Sequence, residues 1–411
     1  MKKFLSLVLL ILLSTITGCD FSKPQLEIFI ASDMHILSND LVSDTNQVYT
    51  KKTLTSDGRV QEYDIELFKE FINQINEEKP NYVFLTGDLT FNGERQSHID
   101  VIEMLDSIND FTKVLVIPGN HDINNLNPRS FIDDNVNKVD TIDENEFKNL
   151  YKDYGYQGAL YYDAYSLSYI YQLDENTWAL MIDSNNSEYN EEYGTNFVGG
   201  FIEANTLSWL KEKLTIAKQN NIKVISATHH NLLVHNELFK TSYTIYNYKE
   251  LLSIYKEYDV KVNFSGHLHI QSIKQDDNIY DIASGGMLDY GNRYGIFKMY
   301  ENKYKYETEK LDISNKGFDF EEYSFDTFYN EYYSKSIKKN EKRYGDSAEK
   351  ITDLLSKINA YYFDGNYKKI RKLVKRNKKN IELINGSNDK YAKSLINVEN
   401  KDQNKIVIKM K

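Results

Sequence analysis

Short apolar runs separated by polar, glycine-bearing breaks recur along the first three quarters of the chain, and their spacing sets the expected elements. The runs at 26–31, 82–86, 114–117, 224–227 and 261–264 are four to six residues long and rich in Val, Ile, Leu and Phe, which predicts buried strands. Between them, Ile65, Phe68, Phe71, Ile72 and Ile75 repeat at helical spacing, as do Leu207, Leu210, Leu214 and Ile216. Later runs at 279–283, 296–300 and 304–308, joined through Gly285-Gly286 and a Glu301-Asn302 turn, read as antiparallel strands. The expected fold class is therefore α/β, with two mixed sheets facing each other and helices outside.

Two polar stretches interrupt this alternation. Residues 36–58 and 124–171 are long enough to be lids, substrate walls or surface insertions. From about Phe318 the chain becomes helix-forming, aromatic and charged. Asp346 with Glu349 offers a helix start, and Ala348, Ile351, Leu355, Ile358 and Tyr362 follow at helical spacing. A basic run from Lys368 to Lys379 surrounds Ile370, Leu373 and Val374. It reads as the solvated face of a helical bundle, with a membrane-facing role as the alternative.

Composition narrows the classes. With 411 residues and 41% hydrophobic content the chain can fill one large core and a smaller one. A net charge of -11 argues against a nucleic-acid polymer as partner, while a small anion remains compatible with a metal site. The single cysteine, Cys19, excludes an intrachain disulfide. Lys2 and Lys3 precede an apolar run at 4–13, and Ile16-Thr17-Gly18-Cys19 resembles a bacterial lipobox. The apolar run falls short of the ~20 residues that span a bilayer. The expectation is a lipoprotein signal peptide over 1–18, a lipidated Cys19, and a protein held on the extracytoplasmic face of a bacterial cell membrane.

The chemistry concentrates in five motifs: Asp33-Met34-His35, Gly87-Asp88, Gly119-Asn120-His121-Asp122, His229-His230 and Gly266-His267-Leu268-His269. They hold six of the eight histidines, and each follows an expected strand, at the sheet edge where ligands bind. Neutral imidazole, carboxylate and amide oxygen are the donors of a two-metal hydrolytic site. Such a site needs a bridging carboxylate, for which Asp88 is the natural candidate. Of the two remaining histidines, His98 reads as a surface residue or a support behind the metal loop, and His235 as pocket-lining or structural.

In this order the motifs resemble those of the calcineurin-like metallophosphoesterase superfamily. The resemblance implies an αββα sandwich and a catalytic domain over 19–315, followed by a smaller helical domain over 316–411. It implies Asp33, His35 and His269 on one metal, Asn120, His229 and His267 on the other, and Asp88 between them. His121 contacts phosphate and assists the leaving oxygen. His230 competes with His229 for its place, and Asn231 stands where the family pattern has proline. Two divalent or trivalent transition-metal ions are implied, manganese or iron, with zinc also suited to the donors.

Phe91 occupies the position where protein-phosphatase members carry an aspartate paired with the leaving-group histidine. Together with the lipobox and the helical C-terminal region, this looks like the lipoprotein-type cyclic nucleotide phosphodiesterases of Gram-positive bacteria. The expected activity is hydrolysis of a small phosphodiester, a 3',5'-cyclic nucleotide foremost, by a metal-bridging hydroxide. The alternatives are a phosphomonoesterase or pyrophosphohydrolase on the same site, or a catalytically silent, surface-displayed nucleotide-binding protein. No protein partner is identifiable.

Overall fold

The computed structural model describes residues 23–43, 45–50 and 56–410. The signal peptide expected over 1–18 and the lipid site at Cys19 lie outside the described residues. The strands are β1 (Leu26–Ala31), β2 (Tyr82–Leu85), β3 (Lys113–Val116), the small hairpin β4 (Arg129–Ser130) and β5 (Asn137–Lys138), β6 (Tyr161–Tyr162), β7 (Tyr169–Asp174), β8 (Thr177–Ile182), β9 (Lys223–Thr228), β10 (Val262–Ser265), β11 (Ser272–Asp276), β12 (Ile279–Ala283), β13 (Arg293–Met299), β14 (Lys303–Lys310) and β15 (Lys405–Lys409). One sheet has six strands in the order β15-β14-β13-β1-β2-β3, and the other seven in the order β11-β12-β10-β9-β8-β7-β6.

Both sheets are mixed, parallel where helices return the chain and antiparallel at their flanks. The parallel strands are buried on both faces because both are covered, and where one face is polar its groups pair, as Asn263 and Ser265 of β10 do with Asp281. Between the sheets, Phe264 of β10 meets Phe84 of β2 and Phe297 of β13, with ring centroids 6.3 and 5.0 Å away. Helix α1 (Asp64–Glu78) covers the outer face of the six-stranded sheet, placing Phe71 5.1 Å from Tyr294. Helix α2 (Arg95–Leu105) follows β2, and α3 (Glu144–Leu150) lies in the 124–171 insertion. The outer face of the seven-stranded sheet is covered by α4 (Ala204–Gln219) and α5 (Tyr248–Tyr258), whose Leu207, Leu210, Leu251 and Tyr255 join one cluster with Trp178 and Leu180.

One expected pairing differs. The runs at 279–283 and 296–300 are not neighbours: β12 lies parallel to β10 in one sheet, and β13 pairs with β14 and β1 in the other. The segment through Gly285-Gly286 carries the chain from sheet to sheet. An apolar run marks a strand without naming its partner.

The C-terminal region comprises α6 (Phe320–Tyr344), α7 (Ala348–Phe363), α8 (Tyr367–Arg376), α9 (Lys378–Gly386) and α10 (Lys390–Ile396). Helix α7 is central, and its Ile351, Leu355 and Ile358 pack with Ile370, Ile384 and Leu395. Ile370 of the basic run is fully buried in this cluster, while Lys368, Lys369 and Lys372 point outward. Leu268 and Ile270, which flank His269, belong to the same cluster, so these helices are seated against a candidate metal loop.

The region is not helical to its end. Strand β15 pairs with β14 from Lys303↔Lys409 to Glu307↔Lys405 and forms the edge of the six-stranded sheet. An ion pair of 2.7 Å between Arg293 of β13 and the buried Asp364 adds a second tie.

Candidate metal centre

The five motifs leave the carboxyl ends of β1, β2, β3, β9 and β10, and the facing of the two sheets brings these ends together. Asp33, His35, Asp88, Asn120, His229, His267 and His269 are all buried. The ligand atoms of Asp33, His35, Asp88 and His269 lie within 4.8 Å of one another, and those of His229, His230 and His267 form a second such group. Asp88 lies between the groups, with one carboxylate oxygen 3.4 Å from His229 Nε2 and the other 3.7 Å from His35 Nε2.

The turns that aim these side chains are tight. Asp33, His35, Asp88, His267 and His269 all adopt left-handed backbone conformations, with φ between 45° and 64°. Asp and His enter this region at less cost than bulky or branched residues, and such outliers gather where function over-determines the fold. Gly119 permits the closest approach: a Cβ there would stand 2.2 Å from Asp88 Oδ1. Hydrogen bonds then join the loops. The Asp33 carboxylate accepts the His267 amide, and Asp88 Oδ1 accepts the His121 amide at 2.9 Å. The buried Asp122 accepts the amides of Gly119, Leu89 and Thr90, tying the β2 and β3 loops.

In His229, His267 and His269 the bond made by one nitrogen sets the other free, whereas His35 Nδ1 is buried without a partner. His229 Nδ1 donates to the Thr86 carbonyl at 2.8 Å, leaving Nε2 facing Asn120 Oδ1 at 3.1 Å and Asp88. His267 Nε2 donates to the Ser242 carbonyl at 2.9 Å, leaving Nδ1. His269 Nδ1 donates to Asp289 at 2.7 Å, and its Nε2 faces His35 Nε2 at 3.4 Å and Asp33 at 3.3 Å. His230 differs, because both its nitrogens are engaged: Nε2 donates to the Val198 carbonyl and Nδ1 accepts from the Ser184 hydroxyl. His229, not His230, therefore has a lone pair to offer. Asn231, standing where proline was expected, donates to Ser265 Oγ and the Gly266 carbonyl, and so ties the His229 loop to the His267 loop.

The electrostatics call for cations. Burial opposes ionisation of Asp33 and Asp88, yet the charges of His269 beside Asp33, and of His229 and His121 beside Asp88, hold both carboxyls below their usual value. Against burial, Asp88 raises His229 to about 9; against burial and the Arg59 charge, Asp33 and Asp289 raise His269 to about 9. Burial keeps His35 and His267 well below the ordinary imidazole value. The pocket thus stabilises two positive charges beside two carboxylates, with acceptor atoms converging on each other. That donor set fits two metal ions with nitrogen and oxygen ligands.

His121 stands at the edge of this cluster, its ring 4.9 Å from that of His35. Its Nδ1 donates to the Phe91 carbonyl at 2.7 Å and to Asn92 Oδ1 at 3.1 Å, which leaves Nε2 for the cavity. That cavity, of about 660 Å³, is lined by Asp88, Asn120, His121, His267 and His269, and on its far side by residues of α6, α7 and α10.

The structure also answers for the residues outside the motifs. His98 is fully buried, not at the surface: Nε2 donates to the Asp122 carbonyl at 2.8 Å and Nδ1 accepts from Tyr151 OH at 2.9 Å. It supports the turn that follows His121. His235 is paired with Asp281 at 3.2 Å and does not line the cavity. Sequence reasoning missed Asp289 and Arg59. Asp289 follows the strand end and glycines of β12, a position like that of the five motifs. Arg59 lines the cavity with its Nε 3.9 Å from Asp289 and without a hydrogen-bond partner; nothing in its neighbourhood in sequence marks it.

The profile of the calcineurin-like phosphoesterase family matches residues 26–271, more than half of the chain. No curated protein matches it. Among solved structures, a dimetal phosphatase from Danio rerio is similar at TM-score 0.48 and 14% identity, over 71% of this chain and 98% of that one. A putative 5'-nucleotidase from Staphylococcus aureus is similar at TM-score 0.41 and 14% identity, over 72% of this chain and 57% of that one. A phosphopantetheinyl hydrolase from Mycobacterium tuberculosis is similar at TM-score 0.34 and 11% identity, over 63% and 89%.

Proposed function

The chain belongs to the calcineurin-like phosphoesterase family, a family of metal-dependent phosphoester hydrolases, and we propose that its own substrate is a small phosphodiester, a 3',5'-cyclic nucleotide foremost. In this reading Asp33, His35 and His269 hold one cation, Asn120, His229 and His267 the other, and Asp88 both. When bound, such a pair supplies Lewis-acid polarisation of the phosphoryl oxygens and a strong oxygen nucleophile at neutral pH. The protein supplies the rest. Asp289, the Ser242 carbonyl and the Thr86 carbonyl hold His269, His267 and His229 in the tautomers that leave a ligating nitrogen. His121 holds a proton at Nε2 for the departing oxygen. Arg59 adds a positive charge beside the phosphate.

The observation that carries the diester reading is the environment of His121. Its Nδ1 is held by a backbone carbonyl and an amide oxygen, where a protein phosphatase of this family would present a carboxylate. Arg59 and Lys335, the guanidinium and ammonium groups lining the cavity among the described residues, are, moreover, offset by acids. Arg59 stands beside Asp289, and Lys335 lies 2.5 Å from Glu331 and 3.4 Å from Asp57. A monoanionic diester needs less compensating charge than a dianionic monoester.

The test is a substrate panel on protein reconstituted with Mn, Fe or Zn in turn. The expected result is faster hydrolysis of bis-p-nitrophenyl phosphate than of p-nitrophenyl phosphate. Cyclic nucleotides should be cleaved, with His121→Ala lowering kcat about 10²- to 10⁴-fold at unchanged metal content. Faster cleavage of the monoester selects the phosphomonoesterase reading, and catalysis that survives Asp88→Ala rules out the two-metal mechanism. Nucleotide binding without hydrolysis under every metal would make the chain a binding protein.

A further inference from the structure

The C-terminal helices line the same cavity as the metal ligands. Phe328, Tyr332 and Ser336 of α6, Asn359 and Phe363 of α7, and Tyr391 of α10 face His121, His267 and His269 across it. Four of the lining rings form a continuous row. Tyr243 lies 5.1 Å from the ring of His267, Phe239 5.5 Å from Tyr243, Tyr391 5.8 Å from Phe239, and Tyr332 6.2 Å from Tyr391. The row thus starts on a candidate metal ligand and ends on α6.

All four rings are half-buried and line the cavity, so each is packed on one side and accessible on the other. Concave aromatic surface of this kind binds planar π-faces, and rings held by neighbours lose little freedom when a ligand stacks on them. Polar groups stand beside the row. Tyr391 OH donates to Asn359, and Ser336 lies one turn along α6 from Tyr332. Beyond the bond between them, the Tyr391 hydroxyl and the Asn359 amide keep further acceptor and donor capacity, which the edge of a heteroaromatic ring can meet and an alkyl chain cannot.

We propose that Phe239, Tyr243, Tyr332 and Tyr391 form a subsite for a heteroaromatic base, supplied by the C-terminal helices and the 239–243 loop, that binds the part of the substrate remote from phosphorus. The proposal rests on the reading of the site as one for nucleotide-type phosphoesters. It assigns to the C-terminal region the role of a specificity wall. A phosphate at the metal ligands directs the remainder of the molecule along the row, because the row begins at His267.

Binding to the metal-loaded protein tests this without requiring turnover. Calorimetry with adenosine 5'-monophosphate, ribose 5-phosphate, n-octyl phosphate and inorganic phosphate separates the contribution of the base from that of the phosphate. The expected result is that the nucleotide binds about tenfold or more tightly than ribose 5-phosphate, as a single stacked base provides. Phe239→Ala and Tyr332→Ala should each remove most of that ratio and leave inorganic phosphate binding unchanged, while Tyr332→Phe retains it. Phe239 ends the short 3-10 turn Glu237–Phe239 at the edge of the cluster, not inside a long helix as Tyr332 is, so its variant reports binding even where Tyr332→Ala unfolds. Equal affinity for the nucleotide and ribose 5-phosphate in the unaltered protein overturns the proposal. So does octyl phosphate binding as tightly as the nucleotide, or a Phe239→Ala variant that weakens all four ligands alike. Failure of the panel to show diester hydrolysis would instead count against the catalytic reading and leave this ratio to be read independently.

Discussion

Asp289 shows how much of the site is carried by residues that hold the candidate ligands from behind. It accepts from His269 Nδ1 and so turns Nε2 toward Asp33 and His35. Replacing it with Ala frees the ring to rotate or change tautomer, and should lower metal affinity or activity about 10- to 100-fold, read as metal content after dialysis. His98 acts one layer further out. Burial lowers it to about 4, so the fold requires the neutral ring that bridges Asp122 and Tyr151. In the unfolded chain the exposed ring titrates at about 6.5. The folded value is depressed, and the stabilisation from His98 is therefore complete above about 6.5 and lost as pH falls from there toward about 4. His98→Gln, which cannot titrate, should cost about 1–3 kcal/mol near neutral pH and progressively less on acidification, measured from urea midpoints. At this scale the motif residues were legible, because each motif is a contiguous stretch after an apolar run. Asp289, Arg59 and the buried state of His98 were not, because their partners lie on other loops and no spacing encodes them.

Strands and helices were legible where burial imposes a period. The core-facing residues of α1 and α4 and the runs of β1, β2, β3, β9 and β10 fall where the pattern placed them. Pairing was less legible, as β12 and β13 show by lying in different sheets. Strand β15 was missed altogether: Lys405-Ile406-Val407-Ile408-Lys409 is a short edge strand after a long helical stretch, with only Ile408 buried. Two strands in from it, Arg293 of β13 is held by Asp364, whose side chain is 1% exposed against 14% for Arg293. Asp364→Ala leaves that guanidinium without its carboxylate and should cost about 3–5 kcal/mol, read by denaturant unfolding. If the C-terminal helices are the wall of the cavity, the same variant should also raise KM for nucleotide substrates more than it lowers kcat.

For the whole molecule, location and chemistry are separate questions. No helix among the described residues is long and apolar enough to cross a membrane. Membrane attachment is proposed through Cys19. Cells fed labelled palmitate should label the unaltered protein, and Cys19→Ser should abolish that label and move the protein to the aqueous phase on detergent partitioning. A labelled Cys19→Ser protein would refute the lipobox reading. The sequence by itself determined the two-sheet architecture, the order of the five motifs and the donor types, since these follow from local period and from residue chemistry that needs no partner. Only the tertiary structure decided that His229 and not His230 offers a free nitrogen, that Asp289 and Arg59 border the site, and that the C-terminal helices wall its cavity. Those facts depend on contacts between segments far apart in the chain, which packing creates and local sequence pattern does not record.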